Sequence, residues 1–127
     1  MKNITYVITL FILFSCSDQK NKILGKYEYI GNQTIDSIII EDSIYTHMIF
    51  NKDGKLMYKG NSQWQFEGNR IIFLNFYNNE DYNLTEFLTE EQANKFLIRL
   101  SCPININNKG AIIEVNSHEN IVYQKNN

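Results

Sequence analysis

Ile44-Tyr45-Thr46-His47-Met48-Ile49-Phe50-Asn51-Lys52-Asp53-Gly54-Lys55-Leu56 is the stretch from which the fold is read. Over residues 44–50, Ile44, Thr46, Met48 and Phe50 fall on one face and Tyr45, His47 and Ile49 on the other. A period of two is the period of a strand. Asn51-Lys52-Asp53-Gly54-Lys55 then reads as a hairpin turn, because glycine takes a positive φ at no steric cost. A strand that doubles back through a tight turn needs antiparallel neighbours, and the flanking sequence offers them.

Upstream, residues 24–30 alternate with Tyr27 and Tyr29 on one face and stop at Gly31-Asn32. Residues 34–40 follow, up to the polar break Glu41-Asp42-Ser43. Downstream, residues 56–59 and 62–66 read as two short strands around Gly60-Asn61, with Trp64 and Phe66 sharing a face. Residues 70–77 are apolar on both faces, which suits a central strand. Thr89-Glu90-Glu91-Gln92 has the pattern of a capping box. It predicts a short helix from Glu90 to about Lys95, followed by a strand over 96–101. Residues 105–110 read as a loop, and 111–116 with 121–125 as a last hairpin over Ser117-His118-Glu119-Asn120. Turn signals about every ten residues predict an all-β domain, an antiparallel sandwich or barrel. About eight strands with one short helix suffice to close a small antiparallel up-and-down barrel.

Composition narrows the function classes. With 127 residues, 12 basic and 14 acidic side chains and a net charge of −2, the chain suits one domain and has no basic face for nucleic acid. Near the amino end, Lys2 precedes an apolar run over residues 4–14. As a helix that run reaches only about 16 Å, short of the roughly 30 Å hydrocarbon core. A charged start and a short apolar core are the pattern of a secretory signal peptide.

Leu13-Phe14-Ser15-Cys16 closes that run and resembles the lipobox of bacterial lipoproteins. The resemblance implies cleavage between Ser15 and Cys16, a diacylglyceryl thioether on Cys16 and an acyl chain such as palmitate on the new amino terminus. Two or more chains hold a protein stably on a membrane. Residues 1–15 are then the signal peptide, 16–22 a lipidated tether and 23–127 the folded domain. The expected place is the cell envelope at the outer membrane, of the kind found in Bacteroidota, with membrane contact made through the lipid.

The domain itself resembles small lipocalin-like lipoproteins. The resemblance rests on Ile23-Leu24-Gly25-Lys26-Tyr27, Phe50-Asn51-Lys52-Asp53-Gly54-Lys55, Gln63-Trp64-Gln65-Phe66 and Tyr123-Gln124-Lys125. Lipocalins carry Gly-x-Trp in the first strand and an Arg packed over that Trp near the end. Here Tyr27 and Lys125 stand in those places.

Chemistry-bearing patterns are sparse. His47 and His118 lack zinc spacing, and so no metal site is expected. An EF-hand alignment on Gly54 puts Ile49 and Gly60 where acids belong. The carboxylate pairs Glu41-Asp42, Glu80-Asp81 and Glu90-Glu91 sit in turns or at a helix start. Cys102, beside Pro103, reads as a buried structural thiol. Asp36-Ser37-Ile38 and Asp42-Ser43-Ile44 match a short O-glycosylation sequon of some Bacteroidota. No enzyme motif or cofactor site is expected. Two readings follow. In the first, the barrel binds a small apolar ligand, with Tyr27, Tyr29, Phe50, Trp64 and Phe66 near or inside it. In the second, aromatic side chains fill the barrel, and its loops bind another envelope protein.

Overall fold

A computed structural model describes residues 19–31, 33–78, 84, 86–108, 110–116 and 121–126. The predicted barrel is observed. Eight strands run antiparallel in chain order and close on themselves: β1 Gly25–Ile30, β2 Thr34–Ile40, β3 Ile44–Asn51, β4 Leu56–Glu67, β5 Arg70–Tyr77, β6 Leu97–Asn107, β7 Gly110–Asn116 and β8 Ile121–Lys125. This is a lipocalin-like architecture. Closure rests on the short β1–β8 seam, Tyr27 opposite Lys125 and Glu28 opposite Gln124. Lipidation and cleavage at Ser15 and Cys16 concern residues outside those described, as do Glu80-Asp81 and the turn with His118.

The hairpin forms as the sequence predicts. The Asn51 side chain accepts from the Asp53 and Lys55 amides, and Gly54 takes φ 85°. Thr89 caps Glu90–Ala93 by accepting from the Gln92 backbone N–H, and its own backbone N–H donates to the Gln92 side-chain oxygen, the two halves of a capping box. A 3-10 turn over Asn94–Phe96 leads into β6.

Two expectations are corrected. Residues 56–66 do not break at Gly60-Asn61 but form one strand, β4. Gly60 is there because the Tyr58 ring lies where its side chain would be, a close approach of the kind that places glycine inside a strand. Residues 105–107 are not a loop but the end of β6, paired with β7 through Asn107 opposite Gly110. Ile104 and Ile106 turn inward while Asn105 and Asn107 are exposed, so these asparagines are the wet face of a strand. Pro103 is tolerated inside β6 because β6 has a partner on one side only at that point. The strand pairs with β5 up to Pro103 and with β7 from Ile104.

Inward side chains fill the barrel. Tyr27, Ile38, Ile40, Tyr45, Trp64, Ile71, Phe73, Cys102, Ile113 and Tyr123 belong to one continuous core. A bulge between Phe73 and Phe76, with Asn75 at φ 52°, keeps Phe76 inside after an extra residue. A smaller cluster of Ile49, Tyr58, Tyr77 and Ala93 packs the capped helix against the wall.

Candidate functional site

The two ends of the barrel differ. At one end, residues 19–23 are helical and Ile23 is fully buried in the core. Tyr27 donates to the Ile23 carbonyl at 2.6 Å, and Lys125 Nζ donates to the Lys22 carbonyl at 2.9 Å. Lys20 pairs with Asp42 at 3.2 Å and lies 5.9 Å from the centre of the Trp64 ring, whose N–H donates to the Glu41 carbonyl. Gly25, at φ 140°, leaves the room that the Lys125 side chain occupies. This end is closed.

The opposite end holds a cavity of about 70 Å³, lined by Tyr29, Asp36, Phe76, Ile98, Leu100 and Tyr123 among others. Its most polar wall is Asp36, an inward residue of β2 that is only 3% exposed. The Tyr123 hydroxyl donates to one carboxylate oxygen at 2.9 Å, and the Thr34 hydroxyl donates to the other at 3.4 Å. His47 Nε2 lies 3.6 Å from the same oxygen as Tyr123. Neither ring nitrogen of His47 has a hydrogen-bond partner among the described residues. The imidazole instead stacks on Phe76, with centroids 4.5 Å apart, and meets Tyr58 edge-on.

Register makes this cluster. Tyr29 stands opposite Asp36, and Ile38 opposite His47, so Asp36 and His47 are diagonal neighbours on the inner face. In the sequence Asp36 stands out only as part of an Asp-Ser pair, and its place in a site was missed. The available signal was the Asp among the alternating inward residues Thr34, Ile38 and Ile40. The sequon reading of Asp36-Ser37-Ile38 is also corrected, since Ser37 is buried mid-strand. Ser43, in the second sequon, is exposed.

The five residues expected near a ligand are not brought together. Tyr27 and Trp64 are buried at the closed end, and Phe66 packs against the same core. Phe50 is half-buried on the outward set of β3, because Tyr45, His47 and Ile49 take the inside. Only Tyr29 lines the cavity. Burial raises the Tyr27 and Tyr45 phenols well above their usual range. The buried Cys102 thiol is pushed up to about 11 by desolvation, against a lowering pull from Arg70. Such a thiol is a weak nucleophile at neutral pH. Larger clefts of about 390 and 340 Å³ lie at the closed end, beside Gln19 and Asn69 and beside Lys20 and Trp64, and one of about 240 Å³ lies between β4 and the capped helix, beside Lys59 and Ala93. Among the described residues no group of three or more His, Cys, Asp or Glu gathers to hold a metal, and no helix is long and apolar enough to cross a membrane. No protein-family model, curated protein or solved structure matches this chain.

Proposed function

We propose that this chain is a lipid-anchored, non-enzymatic protein of the bacterial cell envelope whose filled barrel presents its open end to another envelope protein. The observation that carries the reading is the filled interior. The cavity holds about 70 Å³. Ordinary small-molecule pockets are far larger, roughly 300 to roughly 1000 Å³. The exposed apolar side chains support the same reading. Among the described residues, Ile30, Phe87, Phe96 and Ile98 belong to segments at the cavity end, whereas Ile44 of the same exposed apolar set lies at the other. Monomeric surfaces seldom gather such side chains without a partner.

Anchoring at Cys16 fits this polarity. Gln19 is three residues on, a span of at most about 10 Å. Residues 19–23 pack on the closed end, so a lipid on Cys16 would hold that end at the bilayer and turn the cavity end away. Native mass spectrometry of the protein extracted gently from its host envelope tests both parts. The expected result is a diacylglyceryl mass on Cys16 and a stoichiometric protein companion that is lost in the double variant Ile30→Ser, Phe96→Ser. A bare lipidated monomer would sink the partner reading, and an unmodified Cys16 the anchor. A bound apolar molecule of a few hundred daltons would restore the small-ligand reading.

A further inference from the structure

We infer that the cavity at the open end is a binding site for a small organic cation, an alkylammonium group. Asp36 supplies the counter-charge, and the rings of Tyr29, Phe76 and Tyr123 supply the walls. The inference goes beyond the partner reading and stands without the lipid anchor. It begins with an imbalance. Asp36 is almost wholly buried, and two of its hydrogen-bond donors among the described residues, Tyr123 and Thr34, are neutral hydroxyls. A carboxylate offers about four acceptor sites, so two such bonds leave capacity. A buried carboxylate also needs an opposite charge to offset its lost hydration. Among the described residues no Lys or Arg lines the cavity.

The walls suit a cation as well. The Tyr29 and Tyr123 rings stand 5.9 Å apart at 50°. Aromatic faces attract ammonium groups held within about 6 Å. The cavity volume is about 70 Å³, or roughly two waters' share of the liquid. That admits an ammonium head with a methyl or two, while a longer stem must run out past Ile98 at the rim. A metal ion is a poorer fit, since among the described residues Asp36 and His47 do not belong to any group of three or more His, Cys, Asp or Glu side chains.

One group inside the protein competes for the role. His47 Nε2 lies 3.6 Å from Asp36, and a protonated imidazole would neutralise the carboxylate without any ligand. The inference therefore requires His47 to be neutral when the site is loaded.

The test is a titration of the full chain in detergent with methylammonium chloride and, separately, n-butylammonium chloride, with sodium chloride at equal ionic strength as control. Tyr29, Tyr123 and His47 ring resonances are followed by NMR. Saturable shifts with both amines and none with sodium are expected. Asp36→Asn should weaken binding at least tenfold and Tyr29→Leu several-fold, whereas His47→Gln should leave it equal or tighter. Butylammonium has the stem and head of a lysine side chain. If it binds tenfold tighter than methylammonium, a protein side chain threaded through the mouth is the natural occupant; equal affinities point to a free amine. The inference is overturned if the amines act no differently from sodium, or if a folded Asp36→Asn binds them as the parent does. It is overturned too if His47 stays protonated throughout the titration. Tyr29→Leu, a change at the cavity rim, keeps the test decisive should Asp36→Asn fail to fold.

Discussion

The closed and open ends of this barrel are built from the same eight strands but follow opposite rules. At the closed end the polar groups of the core and its lid are partnered: Tyr27 bonds Ile23, Trp64 bonds Glu41 and Lys125 bonds Lys22. Around those bonds the packing is apolar. At the open end a carboxylate and an imidazole lie buried within 3.6 Å of each other, beside a cavity. Apolar side chains such as Phe96 and Ile30 stand in solvent there. Protein interiors favour dense apolar packing and fully satisfied polar groups. The cavity end departs from both rules.

The sharpest way to break this contrast is to truncate equivalent tyrosines at the two ends. Tyr27 and Tyr29 are two residues apart on the same face of β1. Tyr27→Ala should cost about 3–5 kcal/mol, because it empties a core site and orphans the Ile23 carbonyl. Tyr29→Ala, at a half-buried cavity wall, should cost about 1 kcal/mol. Urea unfolding of both variants decides the matter, and equal losses would show that the ends do not differ in this way.

Alkaline titration probes the apolar core between them. Burial raises the Cys102 thiol from the ordinary 9.0 to about 11, so the folded state favours its protonated form. That contribution is complete below about pH 9 and disappears as the pH rises through about 11. The loss is of order 3 kcal/mol. In Cys102→Ala this part of the alkaline fall should vanish, leaving the part due to Tyr27 and Tyr45, whose phenols are also raised. Urea midpoints between about pH 8 and about pH 11 that fall equally steeply in parent and variant would refute it.

The smallest expected effect lies at the lip of the open end. Thr89→Ala removes the cap of the helix that packs on Ile49, Tyr58 and Tyr77. It should cost about 1 kcal/mol. Amide exchange should quicken in residues 90–96 and stay unchanged at Tyr27. Faster exchange throughout the barrel would mean that the two ends unfold together.

Legibility in the sequence followed the range of the interaction. The hairpin at Asn51-Lys52-Asp53-Gly54-Lys55 and the capping box at Thr89 to Gln92 were readable because their bonds span at most a few residues. The alternation of β1, β2, β3, β7 and β8 was readable because side chains there switch faces at every step. Two strands were misjudged where a local symbol carried a non-local meaning. Gly60 resembles a turn residue, but it is the floor beneath the Tyr58 ring. Asn105 and Asn107 resemble a loop, but they are the outer face of β6. Facing was harder still. Phe50 and Tyr45 are equally plausible interior residues by composition, and only the assembled sheet put Tyr45 inside.

By itself, then, the sequence determined the all-β character, the strand and turn pattern and the expectation of a closed lipocalin-like barrel. The strands and turns follow from periodicity, which each segment carries alone; the lipocalin-like expectation rests on the resemblance of a few short motifs. Tertiary structure decided that the barrel is filled, that its ends differ, and that Asp36, His47, Tyr123 and Tyr29 meet. The reason is register. The four residues come from four strands, and a slip of one residue in any pairing would turn its side chain from the interior to the solvent.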